Sequence, residues 1–150
     1  MMKLVQLATV CLVVVSVGTI AQRSIYADVQ VTNVKPTSDF VWQRENQNAP
    51  KYPIELARSG IRGCAVLSFN ITESGETEDV EIISSVPQKQ LGKYSRKMIK
   101  KWNWTAATGD EEGIAEKRIL RLDFCFDEES TEHTQKMCKQ QTQLACVSNA

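Results

Sequence analysis

Apolar and polar residues alternate along Cys64–Thr72, with Ala65, Leu67, Phe69 and Ile71 on one side and Cys64, Val66, Ser68 and Asn70 on the other. A period of two sends successive side chains to opposite faces, so this stretch predicts a strand with one buried face. Glu73-Ser74-Gly75 carries turn chemistry, and Val80–Val86 predicts the returning strand of a hairpin. After Pro87 the period changes. Over Gln88–Trp102, Leu91, Ser95, Met98 and Trp102 form one helical stripe, while Lys93, Arg96, Lys97, Lys100 and Lys101 fall on the other faces. A Gly-containing loop around residues 108–113 leads to Lys117–Phe126, which alternates again: Leu120, Leu122, Phe124 and Phe126 against Ile119, Arg121, Asp123 and Cys125. Upstream, Pro53–Arg58 predicts a short helix with proline in its first position, ending at Gly60. Asp28–Val34 alternates like a short strand, and the rest of residues 28–48 reads as a polar linker or strap.

The main elements follow the order β-β-α-β. If the helix crosses back with the usual right hand, the third strand lies beside the first, all neighbours are antiparallel, and the sheet order is 2-1-3. The fold class is thus two-layer α/β, with three antiparallel strands and one long helix on one face. Parity places the sulfurs of Cys64 and Cys125 together on the face opposite the helix, near adjoining strand ends. A cross-strand Cys64–Cys125 bridge is expected from that, with Cys138–Cys146 as the remaining pair, although four cysteines allow three connectivities.

The first 27 residues do not belong to this pattern. Met1-Met2-Lys3 precedes Leu4–Ala21, an apolar stretch broken only by Gln6, Ser16 and Thr19. A basic start, an apolar core and small residues predict a signal peptide cleaved after Ala21 or Ala27; the alternative is a retained membrane anchor. Val10 before Cys11 argues against a lipoprotein. Either reading sends the chain out of the cytoplasm, where Cys64, Cys125, Cys138 and Cys146 can form disulfides.

Composition then narrows the chemistry. The 150 residues suffice for one modest domain, and 18 basic against 18 acidic side chains give no field for nucleic acid. Removing residues 1–27 takes away Lys3 and Arg23 and leaves a charge of −2. A single histidine leaves little for acid–base catalysis at neutral pH, and no nucleophile motif is present, so the reading is not an enzyme. His133, Cys138 and Cys146 lack metal-ligand spacing, so neither a metal nor a cofactor is expected. The aromatic pair near the helix end reads as Trp102 in the core and Trp104 as a lid on the sheet edge.

Ala49-Pro50-Lys51-Tyr52-Pro53, then Ala57 and Gly60-Ile61-Arg62-Gly63, resembles the opening of the TonB C-terminal domain family. Val66–Ile71 with Gly75, Val80–Pro87, Lys100-Lys101-Trp102-Asn103-Trp104 and the final Leu120-Arg121-Leu122-Asp123-Phe124 continue the likeness over about residues 49–126. The resemblance implies a periplasmic domain that captures the Ton box of an outer-membrane receptor as an added strand, in transducers anchored beside ExbB and ExbD. It implies partner contacts at the third strand's edge, with Arg118, Leu120, Arg121, Leu122 and Asp123, and at Pro50, Lys51, Tyr52 and Pro53. Family glutamines fall on Ala49 and Lys51 here, Ala106 stands where a proline is usual, and the 28 residues of 22–49 reach only ~90 Å fully extended. The Cys-containing tail, 127–150, has no counterpart in the pattern. The expected function is a non-catalytic periplasmic module that binds a peptide or strand by β-augmentation in TonB-dependent transport. The alternatives are an inner-membrane-anchored energy transducer and a structural envelope protein that forms homodimers through its open edge.

Overall fold

A computed structural model describes residues 18, 23–36, 40–87, 89–107 and 113–147. Its elements are β1 (Tyr26–Asn33), β2 (Trp42–Arg44), α1 (Ile54–Arg58), β3 (Gly63–Ile71), β4 (Thr77–Val86), α2 (Lys89–Ile99), β5 (Trp104–Ala106), β6 (Glu116–Asp127) and α3 (Thr131–Gln141). The apolar stretch Leu4–Ala21, and with it the choice between signal peptide and anchor, lies outside the described residues apart from Gly18. Among the described residues no helix is long and apolar enough to cross a membrane.

Strand periodicity dictates the main sheet. β3 pairs antiparallel with β4 on one side and β6 on the other, which is the expected 2-1-3 order. The residues that alternate inward, Leu67, Phe69 and Ile71 on β3 and Leu120, Leu122 and Phe124 on β6, are all 2% exposed or less. Each such side chain contributes roughly 1.5–3 kcal/mol by leaving water. α2 packs on this face against β3 and β4. Gly92 allows the close approach, since a Cβ there would sit 2.9 Å from Ile82 Cγ2, and its N–H donates to Ser85 Oγ at 2.7 Å.

The helical stripe differs from expectation at its C-terminal end. α2 stops at Ile99, and Leu91, Ser95 and Ile99 are its buried line, with Met98 half-buried. Lys100 to Trp102 is a turn, so Trp102 leaves the helical phase and is only half-buried. Trp104 is the core residue instead: it stacks on Phe69 at 5.6 Å, and its Nε1–H donates to Thr77 Oγ1 at 2.8 Å. The assignment of the two tryptophans is therefore reversed.

Four elements, β1, β2, β5 and α3, lie outside the expected plan. The alternating segment after residue 25 forms the full strand β1, which pairs antiparallel with β6 from Tyr26↔Asp127 to Asn33↔Leu120. The sheet is thus four-stranded, in the order β1-β6-β3-β4, with β2 and β5 as a separate small pair. In the tail, α3 starts at Ser130, whose Oγ accepts the His133 N–H at 3.0 Å, an N-cap. It covers the face opposite α2, against β1 and β6.

The cysteine pairing also changes. The bridges are Cys64–Cys146 and Cys125–Cys138. Parity correctly puts Cys64 and Cys125 on one face, but the register sets Cys64 opposite Asp123, not opposite Cys125. Diagonal positions two residues apart are ~7–8 Å away, too far for a bridge. Both sulfurs instead reach the tail that lies over that face.

Candidate functional site: the edges of the sheet

The third strand's outer edge, expected to be open, is occupied by β1 along Leu120–Asp127. The correction has a simple cause: β1 offers eight residues in unbroken register, and an intramolecular strand is always at hand to satisfy an edge. Beyond β1, Val34 N–H still donates to Ile119 C=O at 3.0 Å.

The side chains named for that edge separate into three environments. Leu122 is wholly buried in the core, and Leu120 is 2% exposed beside a groove. Asp123 is fully buried on the opposite face and forms a two-pronged pair with Arg121, whose Nε and Nη2 both donate to it at 2.9 Å. Arg121 also donates to the Gln141 C=O at 2.9 Å and to the Leu144 C=O, so it satisfies carbonyls at the C-terminal end of α3. Gln141 Nε2 completes the network, donating to Asp123 Oδ1 at 3.0 Å and Gly63 C=O at 2.8 Å. Arg121 and Asp123 therefore dock the tail, and the buried carboxylate cannot meet a partner. Arg118 is buried too, paired with Glu116, donating to Trp42 C=O at 2.9 Å, and held between the rings of Phe40 and Trp104 at 4.2 and 4.8 Å.

In the opening segment Tyr52 packs edge-on against Phe124 and Phe126 at 5.6 and 6.1 Å, and its OH donates to Ile61 C=O at 2.5 Å. Burial raises its pKa well above the ordinary phenol value. Pro53 is half-buried and precedes α1, while Pro50 and the exposed Lys51 border a hollow shared with Arg44 and Trp102. Burial lowers the Arg44 pKa, and its guanidinium lies 4.5 Å above the Trp102 ring.

A groove of about 1040 Å³ runs along the outer side of β1. Residues 28–31 and Asn33 form its floor, Gln135, Lys136 and Lys139 of α3 one wall, and Trp42, Arg44 and Trp102 the other. Sequence reasoning missed these walls. The Ser130 N-cap signals α3, and the Val29/Val31 alternation signals β1, but neither says where its element docks. Cys138 and Cys146 are bonded in disulfides, and His133 Nδ1 stands instead 3.4 Å from an Asp127 carboxylate oxygen and 3.3 Å from one of Glu129.

A family model described as Gram-negative bacterial TonB protein C-terminal matches residues 48–126. Protein TonB of Xanthomonas campestris pv. campestris strain B100 is 24% identical over 83 residues, 55% of this chain and 37% of the relative. Protein TonB of Salmonella typhimurium strain LT2 is 27% identical over 77 residues, 51% of this chain and 31% of the relative. The solution NMR structure of the Pseudomonas aeruginosa TonB CTD aligns with 62% of this chain and 92% of its own, at 24% identity and a TM-score of 0.46. The aligned part of this chain spans about a third of the length of these curated relatives. β1 and α3 both fall outside the matched residues.

Proposed function

Because this chain belongs to the family of Gram-negative bacterial TonB protein C-terminal domains, we propose that it is a non-catalytic, periplasmic strand-binding module serving outer-membrane transport. The observation that carries the reading is an open sheet, built around the family-matched β3, β4 and β6, that ends in strands without an outer neighbour among the described residues. Unpaired N–H and C=O groups of such a strand accept an extended peptide as one more ladder. The partner is a protein segment of the kind the Ton box of an outer-membrane receptor provides. Pro50, Lys51 and Tyr52 would stand near the end of that peptide, and Arg118 and Leu120 beneath it.

The test is titration of the exported, disulfide-intact protein with a Ton box peptide, followed by amide exchange. Slower exchange confined to one edge strand supports strand addition; binding with no edge amide protected, or no binding, rejects it. A second reading, an anchored transducer working with ExbB and ExbD, draws on the apolar run Leu4–Ala21. Intact mass from the native envelope separates the two: loss of residues 1–21 or 1–27 removes the anchor, and a full-length mass retains it.

A further inference from the structure

The two outer edges of the sheet are not equivalent. β4 is interrupted by two register shifts, between Val66/Leu67 and between Ser68/Asn70 of its partner. One coincides with Asp79 at φ 53°, and the other leaves Ile83 56% exposed. Glu78, Asp79 and Glu81 add charge along the same stretch. Bulges and charge are how a sheet edge is blunted against pairing. β1, in contrast, runs eight residues without a shift.

The hydrogen-bond phase of β1 is also defined. Val34 N–H donates to Ile119 C=O, so in an antiparallel ladder residues 28, 30 and 32 face β6 as well. Ala27, Val29, Val31 and Asn33 then turn their N–H and C=O groups outward, the last three into the groove. The two sides of the groove differ in chemistry. On the face where Gln30 Nε2 donates to Gln135 C=O, α3 presents Lys136 and Lys139, exposed and without an ion pair among the described residues. On the face of Val29 and Val31, the wall is Trp42 and Trp102, with Arg44 over the latter. Arg118 is already balanced by Glu116, and among the described residues Asp28 is the one carboxylate lining the groove.

We propose that the outer edge of β1, rather than β6 or β4, is the strand-accepting site, and that its ligand is an extended segment with carboxylates on alternate residues and apolar side chains between them. A strand paired with β1 continues the same two faces, so its carboxylates meet the α3 lysines and its apolar residues meet the tryptophans. This rests on the strand-addition reading above and adds which edge is used and what the partner carries.

The experiment titrates the full disulfide-bonded protein with an acetylated, amidated octapeptide of alternating valine and glutamate, and with its valine–lysine counterpart. The glutamate peptide should bind and slow amide exchange at Val29 and Val31, while Gln30 and Thr32 keep their protection. Lys136→Glu combined with Lys139→Glu should weaken it about tenfold by removing two charge contacts. Val31→Pro should abolish binding with the fold retained, because the lost N–H points outward. A peptide methylated on the backbone nitrogens that face β1 should fail even with unaltered protein. Equal binding of the lysine peptide, loss of protection at Gln30 and Thr32, or protection confined to β4 would overturn the site while leaving strand addition intact. Capture of a Ton box peptide but not the glutamate peptide would overturn it too. Failure of every extended peptide, Ton box included, would reject both readings.

Discussion

Asp123 shows how far one side chain's role depends on what covers it. Read along its strand it is a polar residue on the outward face; in the fold it is fully buried between Arg121 and Gln141. Removing one partner of a buried pair leaves the other charge uncompensated, at a cost of about 3–5 kcal/mol. Asp123→Ala should therefore lower unfolding stability by that order in urea titrations; a loss under 1 kcal/mol would show that Arg121 finds solvent instead. Tyr52 makes a pH argument. Its pKa is raised chiefly by burial, so the folded state holds the proton more tightly than the unfolded chain. Its contribution is complete below the ordinary phenol value of 10.0 and is lost as pH rises above it. The unfolding midpoint should fall more steeply above pH 10 in the native protein than in Tyr52→Phe, which also loses the bond to Ile61, worth about 1 kcal/mol.

At the scale of elements, β1 and α3 form an addition to the family-matched residues, and each supports the other. Thr134 Oγ1 donates to Tyr26 C=O at 3.2 Å, and Gln30 reaches Gln135. α3 has few apolar residues of its own, with Thr134 and Cys138 its buried positions. Its docking depends on the two disulfides and on Arg121. The Cys64–Cys146 bridge closes a separation of 82 residues, for which chain-entropy arguments give ~4.5 kcal/mol. Reduction, or Cys138→Ser with Cys146→Ser, should lower stability by roughly 3–6 kcal/mol. It should also raise exchange in α3 and β1 before β3 and β6. Uniform exchange across all four strands would mean that the tail does not hold β1 in place.

For the whole molecule, the arrangement of edges decides association. β4 is bulged and acidic, and β1 lies in a groove whose walls admit a single extended segment more readily than the edge of a second sheet. The protein should therefore remain monomeric over a wide concentration range in light scattering. A concentration-dependent dimer with newly protected Val29 and Val31 amides would favour the self-associating alternative.

Residue order alone was enough for the β-β-α-β core, because periods of two and 3.6 are local properties and the buried face of each element follows from them, except past Ile99, where the helix ends and Trp104 takes the core place expected of Trp102. The same alternation placed both strand cysteines on one face, and the resemblance over residues 49–126 rested on those local motifs. Register was not legible: a shift of two residues keeps every parity yet exchanges Asp123 for Cys125 opposite Cys64, and with it the disulfide pairing. Nor was the place of β1 or α3, since strand partner and helix docking are long-range choices between surfaces not yet formed. The sequence by itself determined which residues could bury a face. The tertiary structure decided which edge is closed, because backbone groups left unpaired by β6 are satisfied by whichever strand the finished fold brings within reach.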